Sequence, residues 1–167
     1  MAAEAATLVS AEMISARDVW TGERVAPAIA LSDIRRWVIA TYWPDTPPRL
    51  HWDEDYARTT RWCGVIAPAD FNPFVWPAVR PRAVAQPTPS DGQALTGMNG
   101  GQTDTYGVPM RPGDVISARS RLSDWHERQG RFGLMLYTFT EQVWTNQNGE
   151  FVRRRIATSI RYRSPTT

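Results

Sequence analysis

The chain has no lysine and one cysteine, Cys63. One thiol excludes an internal disulfide and fits a reducing cytoplasm, where we expect the protein to work. The stretch Met1–Ser10 lacks a basic segment followed by an apolar run, so neither secretion nor a membrane anchor is expected. Only two histidines occur, His51 and His126, which confines imidazole chemistry to two places. Excess charge is also lacking: at a net +2, no overall field commits the protein to nucleic acid. All 19 basic residues are arginine, a side chain suited to gripping phosphate or carboxylate. A GC-rich coding bias explains the same usage, so composition leaves the ligand open.

What is present suits one domain. A length of 167 residues with 42% apolar content can bury a continuous core without covalent help. Eight Trp, five Tyr and five Phe belong mostly in that core or in interfaces. The ends, about residues 1–15 and 164–167, read as loose.

Along the chain, Ile34, Trp37 and Val38 fall on one face at helical spacing, predicting a helix over Ser32–Ala40 with Ser32 as its cap. Pro44, Pro47 and Pro48 then enforce an extended connection. Asp53, Glu54 and Asp55 open a second, short helix to about Thr60. Three acids there answer the helix dipole more economically than they would a metal. The apolar stretch from Gly64 to Trp76 is expected to hold a helix beginning near Pro68, and Pro77–Gly92 a loop. Cys63 reads as a small buried hydrophobe.

After Leu95 the period changes to two. Strands are expected over Gly97–Tyr106, Val115–Trp125, Arg131–Trp144 and Phe151–Tyr162. Turns are expected at Arg111–Asp114 and Asn146–Gly149, and a polar connection at His126–Gly130, which leaves His126 on the surface. Arg153, Arg154 and Arg155 alternate between faces, so they read as a solvated sheet edge, with coenzyme A phosphates as the other reading. The fold class is α+β: an antiparallel sheet wrapped around a central helix.

The order of these features resembles the MaoC-like hot-dog dehydratase/hydratase family, above all its amino-terminal-half (FAS1-like dehydratase) subfamily. The likeness rests on Asp45-Thr-Pro-Pro-Arg-Leu-His51-Trp-Asp53, then Ala57 and Gly64-Val-Ile-Ala-Pro68, then Met98-Asn-Gly-Gly101, Tyr106 and Pro109-x-Arg-Pro-Gly-Asp114. It covers about Ser32 to Tyr162, as a single hot-dog domain. It implies hydration of enoyl thioesters, or dehydration of 3-hydroxyacyl thioesters, carried by coenzyme A or acyl carrier protein. It also implies a homodimer or a heterodimer with another hot-dog chain, and no metal, cofactor, nucleic acid or membrane. The family signature is Asp-x-Asn-Pro-x-His. Here His51 fits, but Thr46 stands at the Asp position and Pro48 at the Asn position. Asp45, six residues before His51, serves only if the loop carries one extra residue.

The catalytic residues expected on this basis are His51 and Asp45, with substrate contacts at Ala69, Asn72 and Asn99. Imidazole as a class titrates near neutrality, and a carboxylate can hold water. The thioester oxygen gains charge, which the Ala69 N–H at a helix start can meet. The other reading is a non-catalytic subunit that shapes the acyl pocket for a catalytic partner. A hot-dog thioesterase is a third, weaker one, because the surroundings of His51 are hydratase-like.

Overall fold

Alternation after Leu95 does build a sheet. The computed structural model describes residues 7–75 and 95–163. A two-residue strand β1 (Arg24–Val25) joins four long ones: β2 (Thr96–Tyr106), β3 (Ser117–Gly130), β4 (Gly133–Thr145) and β5 (Phe151–Tyr162). They form one antiparallel sheet in the order β1-β3-β4-β5-β2. The Asn146–Gly149 turn joins β4 to β5 as its chemistry predicts, with Asn146 Oδ1 accepting from the N–H groups of Asn148 and Glu150. Gly113 and Asp114 likewise close the expected turn before β3, where Asp114 accepts from the Arg111 N–H at 2.7 Å.

The expected connection His126–Gly130 is strand instead. His126 pairs with Tyr137 across the hairpin, and the two rings stack at 4.8 Å. Such cross-strand contact outweighs local polarity, so the turn moves on to Arg131 and Phe132. His126 itself is exposed.

Among the described residues, three helices precede the four long strands: α1 (Ala11–Ala16), α2 (Leu31–Tyr42) and α3 (Glu54–Arg58), with a 3-10 turn at Arg49–His51. Helix α2 starts one residue before the expected cap, because Asp33 reaches back to the Ala30 N–H and Ala30 takes the cap position. Asp53 caps α3 as expected, accepting from the Tyr56 N–H at 3.0 Å. From Thr7 onward the start of the chain is packed rather than loose. Leu8 and Met13 are buried with Leu122 of β3 and Leu136 of β4. A six-residue helix is too short to show a period, which is why the sequence hides α1.

The helix expected near Pro68 does not form. Residues 68–75 make turns, with the Phe71 N–H on the Pro68 carbonyl and Asn72 Oδ1 capping the Phe74 N–H at 3.0 Å. Pro73 removes a donor and pushes Asn72 out of helical geometry, and the Asn72 amide competes for the backbone. The helix in the core is α2 instead. Its Ile34 shares one cluster with Val65, Ala67 and Phe71 of the strap that residues 65–75 form, and with Ala118, Trp144 and Val152 of the sheet. Aromatic edges link the layers: Trp37 of α2 meets Phe71 at 5.5 Å, and Phe74 meets Trp144 of β4 at 5.1 Å. Cys63 is exposed, not buried, at φ 53 in the reversal after α3. The loop expected at Pro77–Gly92 lies outside the described residues. No helix among the described residues is long and apolar enough to cross a membrane.

Candidate active site

His51 ends the 3-10 turn that Pro47 and Pro48 lead into, and three contacts fix that turn. Arg49 grips Asp53 at 2.7 and 2.9 Å, Trp52 Nε1 donates to the Pro47 carbonyl, and Arg35 of α2 donates twice to the Trp52 carbonyl. The fourth contact matters chemically. His51 Nδ1 lies 2.8 Å from the Ile66 carbonyl, an oxygen that can only accept. In the neutral ring Nδ1 therefore carries the proton, and Nε2, which has no partner among the described residues, holds the lone pair.

His51 stands on the wall of a cavity of about 480 Å³. The strap forms one side of it, from Ile66 to Asp70, held down by the Ala67 N–H on the Met110 carbonyl at 2.8 Å. The N–H groups of Ala69 and Asp70 donate to no acceptor among the described residues. Asp70 is the one carboxylate on the wall among the described residues. The opposite side comes from the sheet: Tyr106 at the end of β2, Gly107, and Val152 with Arg153 of β5.

Arg153 is there because β5 is irregular. Trp144 pairs with Arg153 while Thr145 pairs with Phe151, so Val152 is an extra residue in the ladder. A bulge of this kind breaks strict alternation and re-aims a side chain. Both Val152 and Arg153 are buried, at 3% and 4% exposure. The Arg153 guanidinium lies over the Trp144 ring at 3.5 Å, and its Nε finds no hydrogen-bond partner among the described residues. Burial first, and then the charge of Arg155, push this guanidinium below its ordinary pKa. The neighbouring acid, Asp104 of β2, is bonded by Arg155 at 2.8 and 3.1 Å, and those bonds hold its carboxyl below its ordinary value against the effect of burial.

A family model described as "FAS1-like, dehydratase domain region" matches residues 18–155. The chain belongs to that family. Its likeness to solved structures agrees with this. It resembles the ChsH1-ChsH2 complex from Mycobacterium tuberculosis with a TM-score of 0.74 at 16% identity, over 93% of this chain and 92% of that one. The C-terminally truncated 3R-hydroxyacyl-ACP dehydratase complex HadBC, from the same organism, gives 0.57 at 14% identity over 86% and 96%. The R-hydratase PhaJ1 from Pseudomonas aeruginosa gives 0.52 at 14% over 88% of each chain. At such identities the likeness is one of fold, and the fold is the hot-dog expected from the sequence. No curated protein matches by sequence.

Within this FAS1-like dehydratase-region fold, the residues singled out from sequence are spread over several places. His51 and Ala69 share the cavity. Asp45 is exposed in the turn after α2, its N–H on the Tyr42 carbonyl at 2.7 Å, and no hydrogen bond or ion pair joins it to His51. Asn72 borders a separate cavity of about 340 Å³ beneath α2. Asn99 lies on β2, where its Oδ1 accepts from the Gly101 N–H, beside an open groove far along the strand from Tyr106. Sequence reasoning missed Asp70, Tyr106 and Arg153 as parts of one wall. Arg153 is not on a solvated edge, because β5 is paired on both sides, by β4 and β2, and the bulge at Val152 sets the face it takes.

Proposed function

We propose that the cavity beside His51 takes an acyl thioester, on coenzyme A or an acyl carrier protein, and adds water to or removes it from the acyl chain. One observation carries the reading: the Ile66 carbonyl commits Nδ1 and leaves Nε2 as a base on the cavity wall. In hydration, Nε2 takes a proton from water as its oxygen bonds to C3, and a proton is returned to C2; dehydration is the reverse. The thioester oxygen, which gains charge meanwhile, meets the unused N–H groups of Ala69 and Asp70. They open a turn rather than a helix, so they act as two local donors. Asp70 supplies the carboxylate that orients the water, and Asp45, one residue off the signature spacing, is the competing candidate.

The test is to assay crotonyl- and longer enoyl-thioesters with wild type, His51→Ala, Asp70→Asn and Asp45→Asn. His51→Ala should lose ~10²–10⁴-fold in rate while still binding thioester. A full rate in His51→Ala sinks the assignment.

A second reading, the acyl-binding subunit of a pair, is favoured by Thr46 and Pro48 at signature positions and by the exposed run of β2. Two of the similar structures are complexes of two chains. We expect a second hot-dog chain, identical or not, to pair along β2, and we place the reaction in the cytoplasm. Should wild type be inert alone but active with a partner, and the His51 change then have no effect, the subunit reading replaces the enzymatic one. A stable monomer by light scattering, alone and with candidate partners, would remove the dimer.

A further inference from the structure

Arg153 is a cation in the wrong place for an ordinary surface residue. Its side chain is 5% exposed, and among the described residues its Nε has no hydrogen-bond partner and its nearest carboxylate oxygen, on Asp104, is 4.0 Å away. That carboxylate already answers Arg155. Two arginines share one acid, so the cluster keeps one positive charge in excess. No ion pair joins Arg153 to Asp70, the acid on the same wall. A buried charge without a full partner is costly, and such a site in a cavity wall points to a ligand that completes it. Arg153 is part of the cavity wall, opposite Tyr106 in the ladder and beside the apolar Ile66, Val108, Met110 and Val152 of the same wall.

We propose that Arg153 binds a carboxylate on the acyl part of the substrate, so that the cavity selects the thioester of a dicarboxylic acid over one with a plain alkyl end. This rests on the thioester reading above and specifies its substrate class. Depth argues for the acyl end as the source of the anion. A guanidinium this buried is reached by the part of the ligand that enters the cavity, whereas a nucleotide diphosphate is too bulky and hydrated to follow. A planar carboxylate also suits the fork of an arginine whose face is already taken by Trp144.

The test uses two matched pairs that differ only in a terminal carboxylate or methyl group. Succinyl-CoA and butyryl-CoA have no double bond to hydrate, so calorimetry reads their binding alone. Fumaryl-CoA and crotonyl-CoA read turnover. Wild type should bind succinyl-CoA at least ~10-fold more tightly than butyryl-CoA, a typical size for a charge-assisted contact. Arg153→Met should abolish that preference, and Arg153→Lys should keep part of it. If Arg153→Met does not fold, the wild-type ratio and Arg153→Lys still decide. Equal or tighter binding of butyryl-CoA by wild type overturns the proposal, as does failure of both thioesters to bind. So does an Arg153→Met protein that loses rate equally on fumaryl- and crotonyl-CoA, which would place Arg153 on the thioester oxygen. Hydration of crotonyl-CoA without a carboxylate preference refutes this inference and leaves the hydratase reading standing. A succinyl preference without any hydration does the opposite.

Discussion

Gly107 joins the sheet to the cavity with no room to spare. Its N–H bonds the Val152 carbonyl at 2.9 Å, and the next N–H, from Val108, bonds Phe151 at 2.9 Å. A methyl group built there would sit 2.1 Å from the Phe151 carbonyl oxygen and 2.5 Å from the Phe151 ring. The ring can rotate, but the carbonyl is backbone inside the sheet, so relief means moving β5 by about an ångström at the Val152 bulge. Forced overpacking of this kind costs about 1–3 kcal/mol. The bulge also carries Val152 and Arg153, and a shift of ~1 Å at a reacting centre can cost ~10²-fold in rate. Gly107→Ala should therefore lower the urea midpoint by an amount equivalent to about 2 kcal/mol and impair thioester binding or turnover as well. Gly22→Ala is the control. Nothing lies within 4 Å of a methyl there, so stability should stay within about 0.5 kcal/mol of wild type. A Gly107→Ala protein with wild-type midpoint and activity would refute the claim that the bulge is pinned by this contact.

Three further outcomes follow from the same contacts. Phe71→Ala, at 4% exposure between α2 and the sheet, should destabilise by about 3 kcal/mol in urea unfolding, the low end of the usual range because it already borders a cavity. Glu141 is 5% exposed; burial would raise its carboxyl, but the bonds from Arg154 and Arg121 outweigh burial and hold it below the ordinary 4.5. Its contribution is thus complete above about pH 4.5 and fades as the pH falls towards the lowered folded value. Glu141→Gln should cost about 2 kcal/mol at neutral pH and flatten the acid limb of the stability curve; an unchanged limb would contradict this. Asp70→Asn should slow hydration more than Asp45→Asn, read as kcat on crotonyl-CoA, and the reverse order would return the carboxylate role to Asp45.

The sheet was legible because apolar and β-branched residues alternate along the sequences of β4 and β5, whose ends match expectation to within two residues. β3 ran on past Trp125 because a His–Tyr stack, not visible in a one-dimensional pattern, pays back the polar residues. The strap failed as a helix for reasons that were on the page as Asn72-Pro73, yet its apolar content outvoted them. The site was half legible. His51 stood out by its flanking residues and Ala69 by its place after Pro68. Arg153 could not be found by periodicity at all, since counting alternate residues from Val152 puts it on the opposite face. One inserted ladder residue reverses that assignment, and no local propensity announces the insertion.

On the paired reading, strand β2 would bring assembly and chemistry to one place. Its outer edge runs from Thr96 to Tyr106 with one ionisable charge, Asp104, which Arg155 of the neighbouring strand already holds. Edge strands ordinarily discourage pairing with lysine, proline or protruding charge, and β2 has none of these along an exposed run. Its ladder is interrupted between Asn99 and Gln102. The near half stays regular up to Tyr106, which is itself on the cavity wall. On the proposed reading, a second chain laid along this edge ends beside the mouth through which the thioester enters. A partner would then set the depth at which the acyl end meets Arg153, and lone-chain assays would understate both affinity and rate.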